Sequence, residues 1–177
     1  MSRTQPELRL QTSRLVLRPL APADAAPMTP LAGDAGVARM TTSIPHPFSR
    51  DMAEDFIARM QAADHARERV LTVERADGVF MGVLGIHPND GQAGELGYWI
   101  GRPFWGAGYM TEAVTAALDW ARRDWGRRIL TSGHFADNLP SGRVLTKADF
   151  LYTGEVERRF SLARGEDAPT RMMVWLA

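Results

Sequence analysis

The stretch of sequence that decides the fold is Glu95–Glu112, which reads ELGYWIGRPFWGAGYMTE. Its first part has the alternation of a strand, because every second residue is large and apolar while the residues between them face the other side. These apolar positions are Leu96, Tyr98 and Ile100. Pro103 then ends the strand, since proline has no N–H group to donate to a neighbouring strand. The sequence therefore predicts a strand that runs directly into a loop.

That loop is rich in glycine and leads into a helix. Gly106 and Gly108 give a tight turn, and a helical pattern begins near Tyr109. A helix N-terminus behind such a loop offers free N–H groups and the positive end of the helix dipole, which together suit a phosphate. An ordinary strand-to-helix turn is the alternative, because GxG alone is a common motif. The loop lacks the Lys-Ser/Thr pair of a P-loop and the third glycine of a dinucleotide fingerprint.

Composition limits the class of protein. The chain has 177 residues, 45% of them hydrophobic, which predicts one domain over residues 1–177 with a sizeable core and a loose, polar segment over 1–7. A formal net charge of zero gives no reason to expect nucleic-acid binding. The absence of cysteine excludes disulfides and thiolate chemistry and fits a cytoplasmic location. No signal peptide and no apolar run of about 18 residues is present, so we expect no membrane span.

The remaining patterns place other elements on both sides of the central stretch. Before it we predict a strand over 14–18, a helix over 25–33 capped by Asp24, a loop over 37–48, a helix over 50–66 capped by Ser49, and strands over 69–75 and 79–87 joined at Asp77–Gly78. A turn at Asn89–Gly91 leads into the central strand. After it we predict a helix over 109–125, a strand over 128–135, a helix over 138–147, and strands over 150–156 and 170–176 with a turn at 164–167. This order predicts an antiparallel meander followed by a parallel crossover.

A second block of sequence, ADNLPSGRVLTKADF at residues 136–150, makes the pattern specific. Together with the central stretch, it resembles the GNAT superfamily of acyl-CoA-dependent N-acyltransferases. The likeness is closest to the RimJ/RimL-type branch of ribosomal-protein N-terminal acetyltransferases. The loop WGxGxxTEA of that branch is matched by Trp105, Gly106, Gly108, Thr111, Glu112 and Ala113. The opening RLVLRPL and an early PHPF match as well, so the resemblance covers nearly the whole chain.

The resemblance implies a fold and a cosubstrate. The fold is α/β (α+β), a GNAT-like mixed and mostly antiparallel sheet of about seven strands with helices on both faces. A cleft is expected where the central strand parts from the 128–135 strand. Acetyl-CoA would lie there, with no metal ion, since the four histidines lack ligand spacing. Its expected contacts are Tyr98, Trp99, Ile100, Trp105, Gly106, Ala107, Gly108, Tyr109, Met110 and Asn138.

Two residues are expected to carry chemistry. The resemblance places the Ser141 hydroxyl near the thioester sulfur, where it can help the thiolate leave; otherwise it is a solvated serine in the first helical turn. Glu95 is expected to act as a general base for the incoming ammonium, directly or through water; the alternative is a strand-end carboxylate in water. Glu112 reads as structural, because a carboxylate in the first helical turn is favoured by the helix dipole.

This chain departs from the family pattern at two positions. Met110 stands where the superfamily has Gly or Ala, which raises the expectation that its side chain crowds the pyrophosphate. Asp149 stands where a glycine normally precedes the final phenylalanine, which is expected to alter a helix C-terminus and leave the chemistry alone. Among the histidines, His46 and His134 are the ones placed to line an acceptor pocket, although each reads more simply as incidental.

The predicted activity is transfer of an acetyl group from acetyl-CoA to a primary amine in a ternary complex, without a covalent acyl-enzyme. The expected acceptor is the N-terminal amine of a protein or peptide. Two alternatives remain open: an N-acetyltransferase of a small amine such as an antibiotic or polyamine, and a non-catalytic acyl-CoA-binding module. Monomer and homodimer are equally compatible with the sequence.

Overall fold

A computed structural model describes residues 8–89, 91 and 93–177 of the chain. The loose segment expected over 1–7, and Asp90 of the expected turn, lie outside the described residues. The helices are α1 (Ala25–Ala32), α2 (Ala35–Ala38), α3 (Arg50–Gln61), α4 (Tyr109–Arg123) and α5 (Leu139–Lys147). The strands are β1 (Leu10–Gln11), β2 (Leu15–Pro19), β3 (Arg69–Arg75), β4 (Phe80–Pro88), β5 (Gly94–Ile100), β6 (Ile129–Phe135), β7 (Leu151–Ser161) and β8 (Glu166–Leu176).

All eight strands belong to one sheet, in the order β1-β2-β3-β4-β5-β6-β8-β7. Only β5 and β6 pair in parallel, and every other pairing is antiparallel. The expected meander and crossover are therefore confirmed. The sheet has one strand more than the seven expected, because the two-residue β1 pairs with β2. A single domain over residues 1–177 stays a prediction.

Two hydrophobic cores confirm that helices cover both faces of the sheet. The larger core contains Leu96 of β5 together with residues of α4 and α5 such as Ala117 and Leu145. The smaller core contains Val83 of β4 with Ile57 of α3. Neighbouring residues on β5 alternate between these cores, as the strand period requires. Within the described residues, no helix is both long and apolar enough to cross a membrane.

Several element boundaries differ from the sequence expectation. α3 stops at Gln61 instead of running to residue 66, because the Asp64 carboxylate accepts the Ala66 N–H at 3.0 Å and favours a turn over continued helix. The first two residues of the expected 37–48 loop belong to α2 instead, and Asp34 caps the N-terminus of this helix. β7 extends to Ser161 because it pairs with β8, which begins at residue 166, so the turn is displaced to residues 162–165.

Asp24 was expected to cap the first helix, and its side chain does something else. No side-chain cap forms at α1. Instead Asp24 accepts two hydrogen bonds from the Arg18 guanidinium, at 2.8 and 2.9 Å, and one from the Thr72 hydroxyl at 2.8 Å. Burial opposes its ionisation, but these hydrogen bonds and one from the Ala21 N–H outweigh that effect and lower the pKa of Asp24. The carboxylate thus ties the entry to α1 to strands β2 and β3.

The C-terminus of α5 ends in a Schellman motif. The Phe150 N–H donates to the Leu145 carbonyl at 3.0 Å, and the Asp149 N–H donates to the Thr146 carbonyl at 3.2 Å. Phe150 and Leu145 are both buried in the larger core, which supplies the hydrophobic contact that accompanies this motif. Asp149 occupies the left-handed position with φ of +67°. Position 149, where the family pattern has glycine, therefore matters for the backbone at the helix C-terminus, as the sequence predicted.

Asp149→Gly should stabilise the protein, because a left-handed conformation costs an L-residue about 1 kcal/mol that glycine avoids. We expect the free energy of unfolding in urea to rise by up to ~1 kcal/mol. Asp149→Ala is the matched control, since it removes the same carboxylate but keeps a Cβ, and it should lower stability. A gain with alanine as large as with glycine would show that the carboxylate, not the backbone, is unfavourable.

Candidate functional site

A cleft of about 1780 Å³ opens where β5 and β6 part. The two strands pair only at Gly94 with Leu130 and at Glu95 with Thr131. The cleft then reaches both faces of the sheet. All of the predicted site residues except Ala107 line it: Glu95, Tyr98, Trp99, Ile100, Trp105, Gly106, Gly108, Tyr109, Met110, Asn138 and Ser141.

The glycine loop has the geometry of an anion site. Gly106 and Gly108 have φ of +75° and +78°, a left-handed conformation that favours glycine. The first backbone hydrogen bond of α4 runs from the Glu112 N–H to the Gly108 carbonyl at 3.1 Å. The three N–H groups before it, of residues 109–111, have no partner within the helix. They lie at the positive end of the α4 dipole, beside the cleft.

The expectation that Met110 crowds this loop is wrong. Its side chain is 4% exposed and belongs to the larger hydrophobic core. The backbone N–H of Met110 stays at the helix N-terminus, while the side chain faces inward. A large residue is therefore tolerated at this position because the core, and not the ligand side, accommodates it.

Glu112 anchors the start of α4 to the chain segment before β2. One of its oxygens accepts the Thr12 hydroxyl at 2.5 Å and the Arg14 N–H at 3.1 Å, and the other pairs with Arg14 Nε at 2.7 Å. Arg14 also donates to the Ala107 carbonyl at 3.0 Å. Burial opposes ionisation of Glu112, but the hydrogen bonds from Thr12 and Arg14 outweigh it and lower its pKa. These contacts are those of the structural residue that the sequence predicted.

Asn138 and Ser141 lie together at the N-terminus of α5. Asn138 caps the helix as predicted, accepting the Ser141 N–H at 3.3 Å. The helix packs closely on the sheet because residue 142 is glycine; a Cβ there would lie 2.7 Å from Nε2 of His134. This close packing brings the Ser141 hydroxyl to 2.9 Å from the Tyr98 hydroxyl.

Tyr98 makes a side-chain contact that the sequence did not reveal, since the strand was expected to contribute only cofactor contacts. Its single O–H proton can be donated to the Ser141 carbonyl, 3.1 Å away, or to the Ser141 hydroxyl. Burial raises the pKa of the Tyr98 phenol, and the hydrogen bond with Ser141 lowers it only in part. The phenol is therefore protonated at neutral pH and can support Ser141 as a donor.

Glu95 is held by a second residue that the sequence did not reveal. Arg159 of β7 binds both of its oxygens, at 2.5 and 3.1 Å, and also contacts Glu157 at 2.9 Å. The hydrogen bond with Glu95 is the main cause of the raised pKa of Arg159, against the opposing effect of its burial. The carboxylate of Glu95 is thus fixed in one orientation at the cleft.

His87 lies directly across from Glu95 in the β4–β5 register, and its Nδ1 is 2.5 Å from the Glu68 carboxylate. The sequence offered a signal for this, because a hairpin centred on Gly91 pairs residues 87 and 95. His134 does line the cleft, but its two ring nitrogens bind the Phe135 carbonyl and the Tyr152 hydroxyl. His87 is therefore the histidine best placed for a role in the site.

Aromatic residues lie at the far end of β5. Trp105 donates its indole N–H to the Ile100 carbonyl at 2.8 Å and is 47% exposed at the cleft. Trp99 faces the smaller core, with its ring 6.1 Å from that of Phe80. Among the described residues, no group of three or more histidines and carboxylates is arranged to hold a metal ion.

Comparison with known proteins gives one family and several similar folds. A family model described as an acetyltransferase (GNAT) domain matches residues 14–151. The uncharacterized N-acetyltransferase p20 of Bacillus licheniformis is 27% identical over 161 residues, which cover 88% of this chain and 89% of that protein.

Two solved structures are similar at 21% identity. Mycobacterium smegmatis RimJ in complex with CoA-disulfide has a TM-score of 0.82, covering 97% of this chain and 87% of its own. Vibrio cholerae spermidine N-acetyltransferase in complex with CoA and spermine has a TM-score of 0.77, covering 93% and 96%. At this identity the likeness shows a shared fold.

Glu112→Gln should lower the free energy of unfolding at pH 7 by about 1–2 kcal/mol, because charge-assisted hydrogen bonds to a carboxylate that is only 19% exposed are weakened. Because the pKa of Glu112 is lower in the folded protein, its contribution to stability is fully present above the pKa that it has in the unfolded chain. This contribution is lost as the pH falls through the pKa of the folded state. The two proteins should therefore converge in stability at acidic pH, measured by urea unfolding across a pH series.

Glu54→Gln is the control for this experiment. Glu54 forms an exposed ion pair with Arg50 at 2.8 Å, with its side chain 52% exposed, and its loss should have almost no effect. An equal loss in both variants, or a Glu112→Gln deficit that persists at low pH, would contradict the anchoring role of Glu112.

Proposed function

The chain belongs to the acetyltransferase (GNAT) family, and on that basis we propose that it transfers an acetyl group from acetyl-CoA to a primary amine by direct attack in a ternary complex. The observation that carries this proposal is the cleft between β5 and β6, which begins beside the glycine loop and reaches both faces of the sheet. One face can admit the acyl carrier and the other the amine. No covalent acyl-enzyme is needed when the thioester and amine are held side by side.

Acetyl-CoA is proposed to bind with its pyrophosphate on the N–H groups of the loop from Gly106 to Met110. The pantetheine arm would follow Tyr98, Trp99 and Ile100, where β5 has parted from β6. Trp105 can cover the carrier, and Asn138 can contact the arm through the amide group not used as a cap. The M. smegmatis RimJ and V. cholerae spermidine acetyltransferase structures, which share this fold, contain CoA-disulfide and CoA.

The departing sulfur is proposed to receive help from Ser141 and Tyr98. As the amine nitrogen bonds to the acetyl carbon, the carbon–sulfur bond breaks and its electron pair stays on sulfur. A thiol has a pKa of about 8.5, so the thiolate needs only modest stabilisation by a donor. When the single proton of the Tyr98 phenol is donated to the Ser141 hydroxyl instead of the Ser141 carbonyl, the serine proton is free to be donated to the thiolate.

The proton of the incoming ammonium is proposed to go to Glu95. An α-amino group has a pKa of about 8, against about 10.4 for lysine, so a weak base suits an N-terminal amine better. Arg159 holds both carboxylate oxygens and so fixes the direction from which a proton can be accepted. Each oxygen retains a second lone pair for the amine or for a bridging water.

The N-terminus of a protein or peptide is the proposed acceptor. A small amine remains the second candidate, since a spermidine acetyltransferase shares the fold, and a non-catalytic acyl-CoA-binding module is the third. Release of free CoA from acetyl-CoA, measured across a peptide and amine panel with product masses, distinguishes them. Tight acetyl-CoA binding without any transfer would favour the binding module. A cytoplasmic location, and monomer or homodimer, stay predictions.

Glu95→Gln should lower kcat/KM for the amine by about 10²–10⁴-fold, because the general base is lost, while acetyl-CoA affinity stays unchanged by calorimetry. Glu157→Gln is the matched control, since Glu157 is the other carboxylate on Arg159 and is more exposed; it should change kcat/KM less than about threefold. An unaltered pH–rate profile in Glu95→Gln would remove Glu95 from the role of base.

Tyr98→Phe and Ser141→Ala should each lower kcat about tenfold, and the double variant should be little worse than either one, because both act on the same sulfur. Tyr152→Phe removes a hydroxyl that binds His134 and should leave kcat unchanged. Additive losses in the double-mutant cycle would show that Tyr98 and Ser141 do not act as a unit.

A further inference from the structure

Two glycines lie in the floor of the cleft on the Glu95 face. Gly85 and Gly97 are opposite each other in the β4–β5 register, and we call this pair the glycine floor. The His87 ring covers Gly85, where a Cβ would lie 2.5 Å from Nε2, whereas a Cβ at Gly97 would meet nothing within 4 Å, so the space above Gly97 is open. A ligand can approach the backbone closely at such a place. The floor has His87 and Glu95 at one end and Trp99 at the other.

The polar end of the glycine floor is charge-compensated. Glu95 is paired with Arg159, and Glu68 is hydrogen-bonded to His87. A single amine can accept or donate hydrogen bonds here. A polycation would need further carboxylates without partners, and the two at this end already have partners. The charge arrangement therefore suits an acceptor with one amine better than a polyamine.

The other end of the glycine floor is apolar and deformable. Three methionines line the same cleft, Met52 and Met60 on α3 and Met40 just after α2, and we call them the methionine wall. Met52 is 43% exposed, which leaves apolar surface open to the cleft. Methionine side chains adapt to ligands of different shape, and Trp99 at the end of the floor adds a flat apolar surface. This end suits a bulky apolar group.

We propose that the acceptor is the N-terminal residue of a peptide whose first side chain is large and apolar. Its amine lies toward Glu95, and its side chain passes over Gly97, the open part of the glycine floor, to the methionine wall. The cleft rim beyond the wall carries exposed Asp55 and Arg59, which suit the polar main chain of the residues that follow. This inference rests on the proposed acetyl transfer and names its substrate class.

The test measures kcat/KM for two peptides that differ only in a first residue of leucine or serine, with phenethylamine and spermidine as further acceptors. The leucyl peptide should exceed the seryl peptide at least about tenfold, since apolar pockets discriminate by roughly that factor or more per group. Preference for the seryl peptide or spermidine would overturn the inference but leave acetyl transfer intact. Preference for phenethylamine over both peptides would contradict the proposal that the acceptor is a peptide.

Two variants test the methionine wall itself. Met52→Ser should lower kcat/KM for the leucyl peptide about tenfold and leave the seryl peptide nearly unchanged, because only the apolar contact is lost. Ile129→Ser is the matched control; Ile129 is 48% exposed and lies outside the cleft. Equal losses for both peptides in Met52→Ser would overturn the wall as the specificity element. Absence of transfer to any acceptor would overturn the proposed function and this inference together.

Discussion

The site depends on two parallel strands that pair briefly and then separate. β5 and β6 share two register pairs, after which a strand amide no longer reaches the Leu96 carbonyl. The Ser132 hydroxyl donates to that carbonyl at 2.8 Å, so the separation begins without an unsatisfied buried acceptor. β6 meanwhile pairs with β8 along its whole length and cannot follow β5. The gap therefore follows from the strand pairing and is open without a conformational change.

Strand alternation divides this gap into two chemical halves. Tyr98 faces the larger core, where α5 brings Ser141 against it, whereas Glu95 and Trp99 face the opposite side with α3. Neighbouring side chains on β5 therefore face different halves of the cleft. In the proposed reaction, the groups that assist the sulfur and those that assist the amine lie on opposite faces of the sheet, and the gap is where the two ligands would meet.

The sequence predicted the parts of the site that local rules determine. Alternation and glycine placed β5 and the loop, and Asn138 was predicted as a cap because its partner lies three residues away. The contacts of Tyr98 with Ser141 and of Glu95 with Arg159 join residues that are 43 and 64 positions apart in the sequence. Strand and helix periodicity describes only neighbouring residues and cannot predict such contacts. They arise from the packing of α5 and from the path of the last hairpin, both of which are tertiary outcomes.

That last hairpin also explains why the family indicates the reaction more clearly than the acceptor. Arg159 of β7 fixes Glu95, while Ser161 and Arg164 donate to carbonyls of the segment 39–41, which contains Met40 of the methionine wall. The family model ends at residue 151, so it includes the glycine loop and α5 but not Arg159, Ser161 or Arg164. The residues proposed to contact the amine, Glu95 and the methionine wall, lie within the matched part, whereas the hairpin that holds Glu95 and the 39–41 segment lies beyond it. The orientation of the amine-binding residues therefore depends on contacts that the family match does not describe.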